Sequence, residues 1–170
     1  MGASRVSATT DFSGPNRVAL DTPAMPCAFG RYELLKLLAV GGMAEVYLAR
    51  SKTGGIERRC VIKGVLPRSA TNREFVSMFI DESRSTIGLD HENIVRLFDF
   101  GQVDGAYFMA LEFVDGVDLV DVLRAQKARG EGLPPAAAAL IARDVLRGLE
   151  HAHNLRDHRG RPMGIVHRDV

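Results

Sequence analysis

Leu38-Ala39-Val40-Gly41-Gly42-Met43-Ala44-Glu45-Val46-Tyr47 is the stretch on which the fold turns. Apolar, β-favouring residues stand on both sides of Gly41-Gly42, so segments 32–38 and 45–50 read as two strands joined by a glycine turn. Gly54-Gly55 marks a second turn and 58–65 a third strand, which completes an antiparallel meander. Residues 72–88 then read as a helix. Phe75, Met78, Phe79, Ser83 and Thr86-Ile87 recur at helical spacing, and Gly88 is the stop. Segments 94–101 and 106–114 are two more strands around the turn Val103-Asp104-Gly105. Residues 118–129 form a short helix with Asp118 as its cap. Pro134 and Pro135 open a long helix to about Asn154, with an apolar stripe of Ala138, Ile141, Val145, Leu149 and Ala152. Five strands with one inserted helix, followed by helices, is an α+β layout with two unlike lobes.

The remaining composition narrows the class. Residues 1–28 are rich in Ser, Thr, Ala and Pro, are interrupted by Pro15, Pro23 and Pro26, and read as a disordered leader. The two cysteines, Cys27 and Cys60, are far apart and lack metal spacing, which argues against a disulfide framework and fits a reducing compartment. A net charge of +1 gives no support to nucleic-acid or membrane-surface binding. No apolar run has membrane-spanning length, and the N-terminus does not read as a signal peptide. The expected location is cytoplasmic.

Three features carry chemistry. A glycine loop lets backbone N–H groups approach phosphates closely. A Walker loop would need Lys-Ser or Lys-Thr after its last glycine, and a dinucleotide loop would run into a helix. Here Val46-Tyr47-Leu48 continues as a strand, which fits a flap lying over a nucleotide; a plain Gly-Gly hairpin turn is the alternative. Second, Cys60-Val61-Ile62-Lys63 puts a lysine on the third strand, where a half-buried ammonium needs an anion. Phosphates or a carboxylate of the next helix would supply one. Glu82 is the expected partner and Asp81 the alternative, unless Lys63 merely snorkels at the sheet. Third, Gly164-Ile165-Val166-His167-Arg168-Asp169 sets an HRD after an apolar pair, with Asp169 placed to orient the proton of a substrate hydroxyl. His151, His153 and His158 do not make a zinc site, because residues two apart on a helix diverge and no second ligand cluster exists, so no metal ligand is assigned.

In this order, the motifs resemble those of the Hanks-type bacterial serine/threonine protein kinases. Gly41-Gly42-Met43-Ala44-Glu45-Val46-Tyr47-Leu48-Ala49 resembles their GGMGEVYLA, His91-Glu92-Asn93-Ile94-Val95 their HPNIV, and Leu111-Glu112-Phe113-Val114-Asp115-Gly116 their MEYVDG. The resemblance runs from about residue 32 to the end. It implies a protein-kinase-like fold, with a five-stranded N-lobe over 29–114 and a hinge exit plus partial C-lobe over 115–170. It also implies ATP and Mg²⁺ as cofactors, and γ-phosphoryl transfer to the Ser or Thr hydroxyl of a protein substrate. Asp169, Lys63 and Glu82 would be catalytic. Ala39, Val40, Gly41, Gly42, Met43, Ala44 and Glu45 would form the nucleotide loop, and Leu38, Val46 and Val61 would cover the adenine. Leu111 would be the gatekeeper, Glu112 and Val114 would offer hinge backbone, and Asp118 would approach the ribose.

Several positions depart from the pattern. Ala39 and Ala44 replace two loop glycines, Val61 replaces an alanine, Glu92 replaces a proline, and a polar insert, 156–161, precedes the HRD. The family's metal ligands, an Asn and the Asp of a DFG, follow the HRD, and this sequence has no residues there. The expectation is therefore a truncated fragment, inactive alone. The rival expectations are a non-catalytic nucleotide-binding or scaffold fragment and a small-molecule phosphotransferase of kinase-like fold.

Overall fold

The computed structural model describes residues 24–42, 44–53, 56–65 and 72–167. In chain order the elements are β1 (Cys27–Phe29), β2 (Tyr32–Val40), β3 (Ala44–Thr53), β4 (Ile56–Val65), α1 (Arg73–Thr86), β5 (Leu97–Val103), β6 (Ala106–Glu112), α2 (Leu119–Ala128) and α3 (Pro135–Asn154). The strands form one antiparallel sheet in the order β1-β2-β3-β4-β6-β5. The meander expected from the glycine turns is β2-β3-β4. The inserted helix lies between β4 and β5, so β6 pairs with β4 and β5 takes the edge.

Six strands stand where the sequence reading expected five. The addition is β1, which pairs Cys27 with Leu34 and Phe29 with Tyr32. Three residues between prolines carry no readable period, and β1 is held instead by non-local packing. The Phe29 ring meets Phe108 of β6 edge-on with centroids 5.3 Å apart. Order thus begins upstream of Tyr32, while most of the leader assigned to 1–28 lies outside the described residues. The boundaries of β5 and β6 also tighten. Residues 90–96 form turns, in which the Ile94 N–H donates to the His91 carbonyl, and β5 starts at Leu97 rather than at 94. Strand β6 ends at Glu112, two residues short of the expected 114.

The sheet curls until its first and last strands touch. The Tyr32 hydroxyl donates to Asp99 of β5 at 2.7 Å, and Arg31 pairs with the same carboxylate at 2.5 Å. Tyr32, Leu34, Tyr47, Ala49, Cys60, Ile62, Phe108 and Ala110 fill the space inside the curl. The other face carries Val65, Leu97 and Met109, which pack against Phe79 of α1. Asn72 caps α1, accepting from the N–H groups of Glu74 and Phe75. Asp104 and Gly105 both have positive φ, at 50° and 81°, the geometry of a tight hairpin between β5 and β6, which Asp-Gly favours.

The long helix has its expected span but not its expected burial. Of its stripe only Ala152 is fully covered, while Ile141 and Val145 are exposed. The helix is seated at its C-terminal half, where Gly148 passes the Asn93 carbonyl so closely that a Cβ would lie 3.2 Å from that oxygen and 3.3 Å from Ile94.

Two outcomes follow from this packing. Gly148→Val should destabilise the protein by about 1–3 kcal/mol, the usual cost of overpacking, in denaturant unfolding. Tyr32 gives a pH signature. Burial, followed by its bond to Asp99, pushes its hydroxyl from the ordinary 10.0 up to about 12. The folded state holds this proton more tightly than the unfolded chain, so the stabilisation is complete below pH 10 and disappears as pH rises to about 12. The thermal midpoint should fall across that window, and Tyr32→Phe should flatten the fall.

Candidate functional site

Directly paired residues of an antiparallel sheet share a face. Ala39 pairs with Val46, Val46 with Lys63, and Lys63 with Met109, a row across four strands. A second row runs Lys36, Leu48, Val61 and Leu111. Both rows look toward α1, because Cys60 and Ile62, which alternate with Val61 and Lys63, fill the curl on the opposite side. The sequence-predicted Ala39, Val46, Val61, Lys63 and Leu111 are thus brought onto one surface. Leu38 and Val40 are exposed at the end of β2, and the Gly41 N–H closes the turn onto the Ala44 carbonyl at 2.8 Å.

Lys63 meets Glu82 of α1, with Nζ 2.6 Å from Oε1. The ammonium also lies 6.0 Å from the centre of the Phe79 ring. Asp81, one residue earlier, points elsewhere and pairs with Arg84 at 3.3 Å. The choice follows from helix geometry: Phe79 and Glu82 are three residues apart and share the sheet-facing side, and adjacent positions are rotated by about 100°. Beside the pair is a cavity of about 280 Å³ lined by Ala44, Lys63, Val65, Phe75, Met78 and Phe79 with Glu82.

Other predicted residues are arranged differently. The Glu45 carboxylate accepts the Tyr47 hydroxyl at 2.5 Å, which turns its side chain away from Lys63. Burial pushes the Tyr47 hydroxyl well above its ordinary range, with the Glu45 bond adding to it. Glu112 spends its N–H on the Arg96 carbonyl at 2.9 Å, and Val114 is exposed in the segment that follows β6. Asp118 caps α2, one carboxylate oxygen accepting the Asp121 N–H at 2.8 Å. Met43 and Asp169 lie outside the described residues.

Sequence reasoning did not single out Arg59. Its guanidinium pairs with Asp115 at 3.0 Å and covers the Phe113 ring at 4.9 Å, tying β4 to the segment between the lobes. It also passed over Phe79 as more than a periodic apolar position, although its three-residue spacing to Glu82 marks it as the floor beneath Lys63. The tripeptide Asp99-Phe100-Gly101 spells the family's metal-binding motif, yet it lies in β5. There Asp99 is consumed by Tyr32 and Arg31.

Residues 32–170 match the family model described as the protein kinase domain. The chain belongs to this family. Its curated kinase relatives include the tyrosine-protein kinase MasK of Myxococcus xanthus, 38% identical over 143 residues, 84% of this chain and 22% of that protein. The serine/threonine-protein kinase PrkC of Bacillus subtilis is 34% identical, covering 83% of this chain and 20% of that protein. Among solved kinases, the crystal structure of the Mycobacterium tuberculosis PknI kinase domain superposes with a TM-score of 0.66 at 28% identity. It covers 87% of this chain and 55% of that one. The chain therefore spans about a fifth of the length of these two curated relatives. No helix among its described residues is long and apolar enough to cross a membrane.

The ion pair can be tested without an activity. Glu82→Gln should raise the labelling rate of Lys63 by an amine-acylating reagent severalfold, measured by peptide mass spectrometry, and Asp81→Asn should leave it unchanged. Thermal stability should move by less than about 1 kcal/mol in both, since the pair is partly solvated.

Proposed function

We propose that this chain forms the nucleotide-binding part of an ATP-dependent serine/threonine protein kinase. The observation that carries the reading is the 2.6 Å pair between Lys63 and Glu82, set on the sheet face that also presents Val46, Val61 and Leu111. In this reading the adenine lies between Leu38, Val46 and Val61, with Leu111 behind it and the backbone of Glu112 and Val114 at its edge. The loop 39–45 covers the phosphates. Lys63 binds the α- and β-phosphates, and Glu82 holds the ammonium in place, which is the positioning on which phosphoryl transfer depends. Asp118 has its second carboxylate oxygen for the ribose. Asp169 orients the acceptor hydroxyl.

Mg²⁺, when bound, bridges the β- and γ-phosphates and neutralises their charge. No cluster of three or more His, Cys, Asp or Glu placed to hold a metal occurs among the described residues, and the roles of Lys63 and Glu82 do not pass through the ion. The 170 residues expressed alone are accordingly expected to bind ATP weakly and to transfer no phosphate.

The acceptor is read as Ser or Thr from the names of most of the kinase relatives above and from the GGMAEVYLA signature. MasK, named a tyrosine-protein kinase, supports a tyrosine acceptor as the second reading. Radiolabelled ATP, a generic protein acceptor and phosphoamino-acid analysis separate the two. In the whole protein, Lys63→Met should reduce transfer by about two orders of magnitude or more with the fold intact, as expected where positioning supplies most of the rate. Near-normal transfer by that variant would overturn the assignment. Label on tyrosine alone would favour the second reading.

A further inference from the structure

The polar insert 156–161 has no part in the kinase reading, yet it is the most tightly organised loop of the helical region. An isolated bridge pairs Arg156 with Pro162. Three backbone bonds close the turn at 2.9 Å each: Asp157 N–H to the Arg161 carbonyl, Gly160 N–H to the Asp157 carbonyl, and Met163 N–H to the Leu155 carbonyl. Asp157 sits at its centre. Its carboxylate accepts the N–H of Arg159 at 2.8 Å, the N–H of Arg161 at 2.9 Å, and the Arg161 guanidinium at 2.8 Å. These donors, the Arg161 N–H foremost, hold the carboxyl below the usual carboxylate range.

The consequence is a separation of charge. The only acid of the turn is directed inward and neutralised by Arg161. Arg156 donates once, to the Gly160 carbonyl at 2.9 Å, and its guanidinium keeps further donors. His158 and Arg159 are exposed and have no side-chain bond or ion pair among the described residues. Arg147, one helical face away on α3, is likewise exposed and unpaired among them. Arg147 and Arg156 border a cavity of about 670 Å³ that also touches His91, Glu92, Glu150 and His151.

We propose that this turn, with Arg147, is a docking site for an acidic polypeptide segment. Three guanidinium groups fixed on a rigid turn and a helix present forked donors matched to carboxylates, at little ordering cost. A flexible acidic chain can set discrete side chains on Arg147, Arg156 and Arg159 while avoiding Glu92 and Glu150. A nucleic acid is disfavoured, because its unbroken phosphate charge would meet both of those carboxylates and the chain as a whole is only +1. Docking does not depend on the kinase reading and is measured without nucleotide or turnover.

The test is fluorescence anisotropy of a labelled oligoglutamate peptide on the purified protein. Arg156→Glu with Arg159→Glu should weaken binding by about tenfold or more, the scale of losing two charge-assisted contacts. Asp157→Ala separates a built site from general attraction. It adds one unit of positive charge but removes the centre of the turn, so a docking site predicts weaker binding, by about threefold or more, against the tighter binding that bulk charge would give. Far-ultraviolet circular dichroism should be unchanged in both variants. Unaltered affinity in the double variant, tighter binding by Asp157→Ala, or equal competition from duplex DNA would each overturn the proposal.

Discussion

Lys63 sits near the middle of a sheet that is covered on both faces, where a charge persists only with a counter-charge close by. Glu82 supplies it from a different element, 19 positions along the chain. The demand for that contact constrains much of the rest. It requires β4 to run between β3 and β6, so that Lys63 lies under the glycine loop. It also requires α1 to lie across β5 and β6 with one particular side down. The pair itself, partly open to water, adds little to stability. What holds it in register is the apolar packing of Phe79 against Val65, Leu97 and Met109, and the Asn72 cap that fixes where the helix begins.

The curl of the sheet is the second constraint. Arg31 and Tyr32 reach across to Asp99, and Phe29 reaches Phe108, closing one face into a core of aromatic and aliphatic side chains. That closure removes one face of Cys60-Val61-Ile62-Lys63 from consideration and leaves the other for ligand and helix. It also explains why Asp99-Phe100-Gly101 does no metal chemistry: its carboxylate is a tie between strands. The same economy operates at the other end of the chain, where Asp157 closes a turn and leaves arginines facing outward.

Much of this was legible in the residues. Alternation on either side of Gly41-Gly42 foretold β2 and β3. The apolar spacing of Phe75, Met78 and Phe79 foretold α1 and favoured Glu82 over Asp81, because a helix of known phase has only one side. What was illegible shares a cause. The strand β1 is short and stabilised only by partners distant in sequence. The early end of β6 depends on Glu112 bonding Arg96. The exposure of Ile141 and Val145 could not follow from periodicity, which shows that a face is apolar and not what covers it.

The sequence by itself determined the element types, the phase of α1 and the pleat parity of β4, because these depend on local backbone geometry and on spacings of two and of three to four residues. It also determined the family, since the glycine loop, the lysine strand and the HRD stand in order along one chain. Only the tertiary structure decided that the sheet curls onto itself, that Glu45 turns away to Tyr47, that Arg59 grips the hinge segment, and that Asp157 is buried in its own turn's hydrogen bonds while its arginines are not. Each of these is a pairing between groups whose alternatives have nearly equal local energy. The choice among them is made by which partner the packed backbone brings within hydrogen-bond reach.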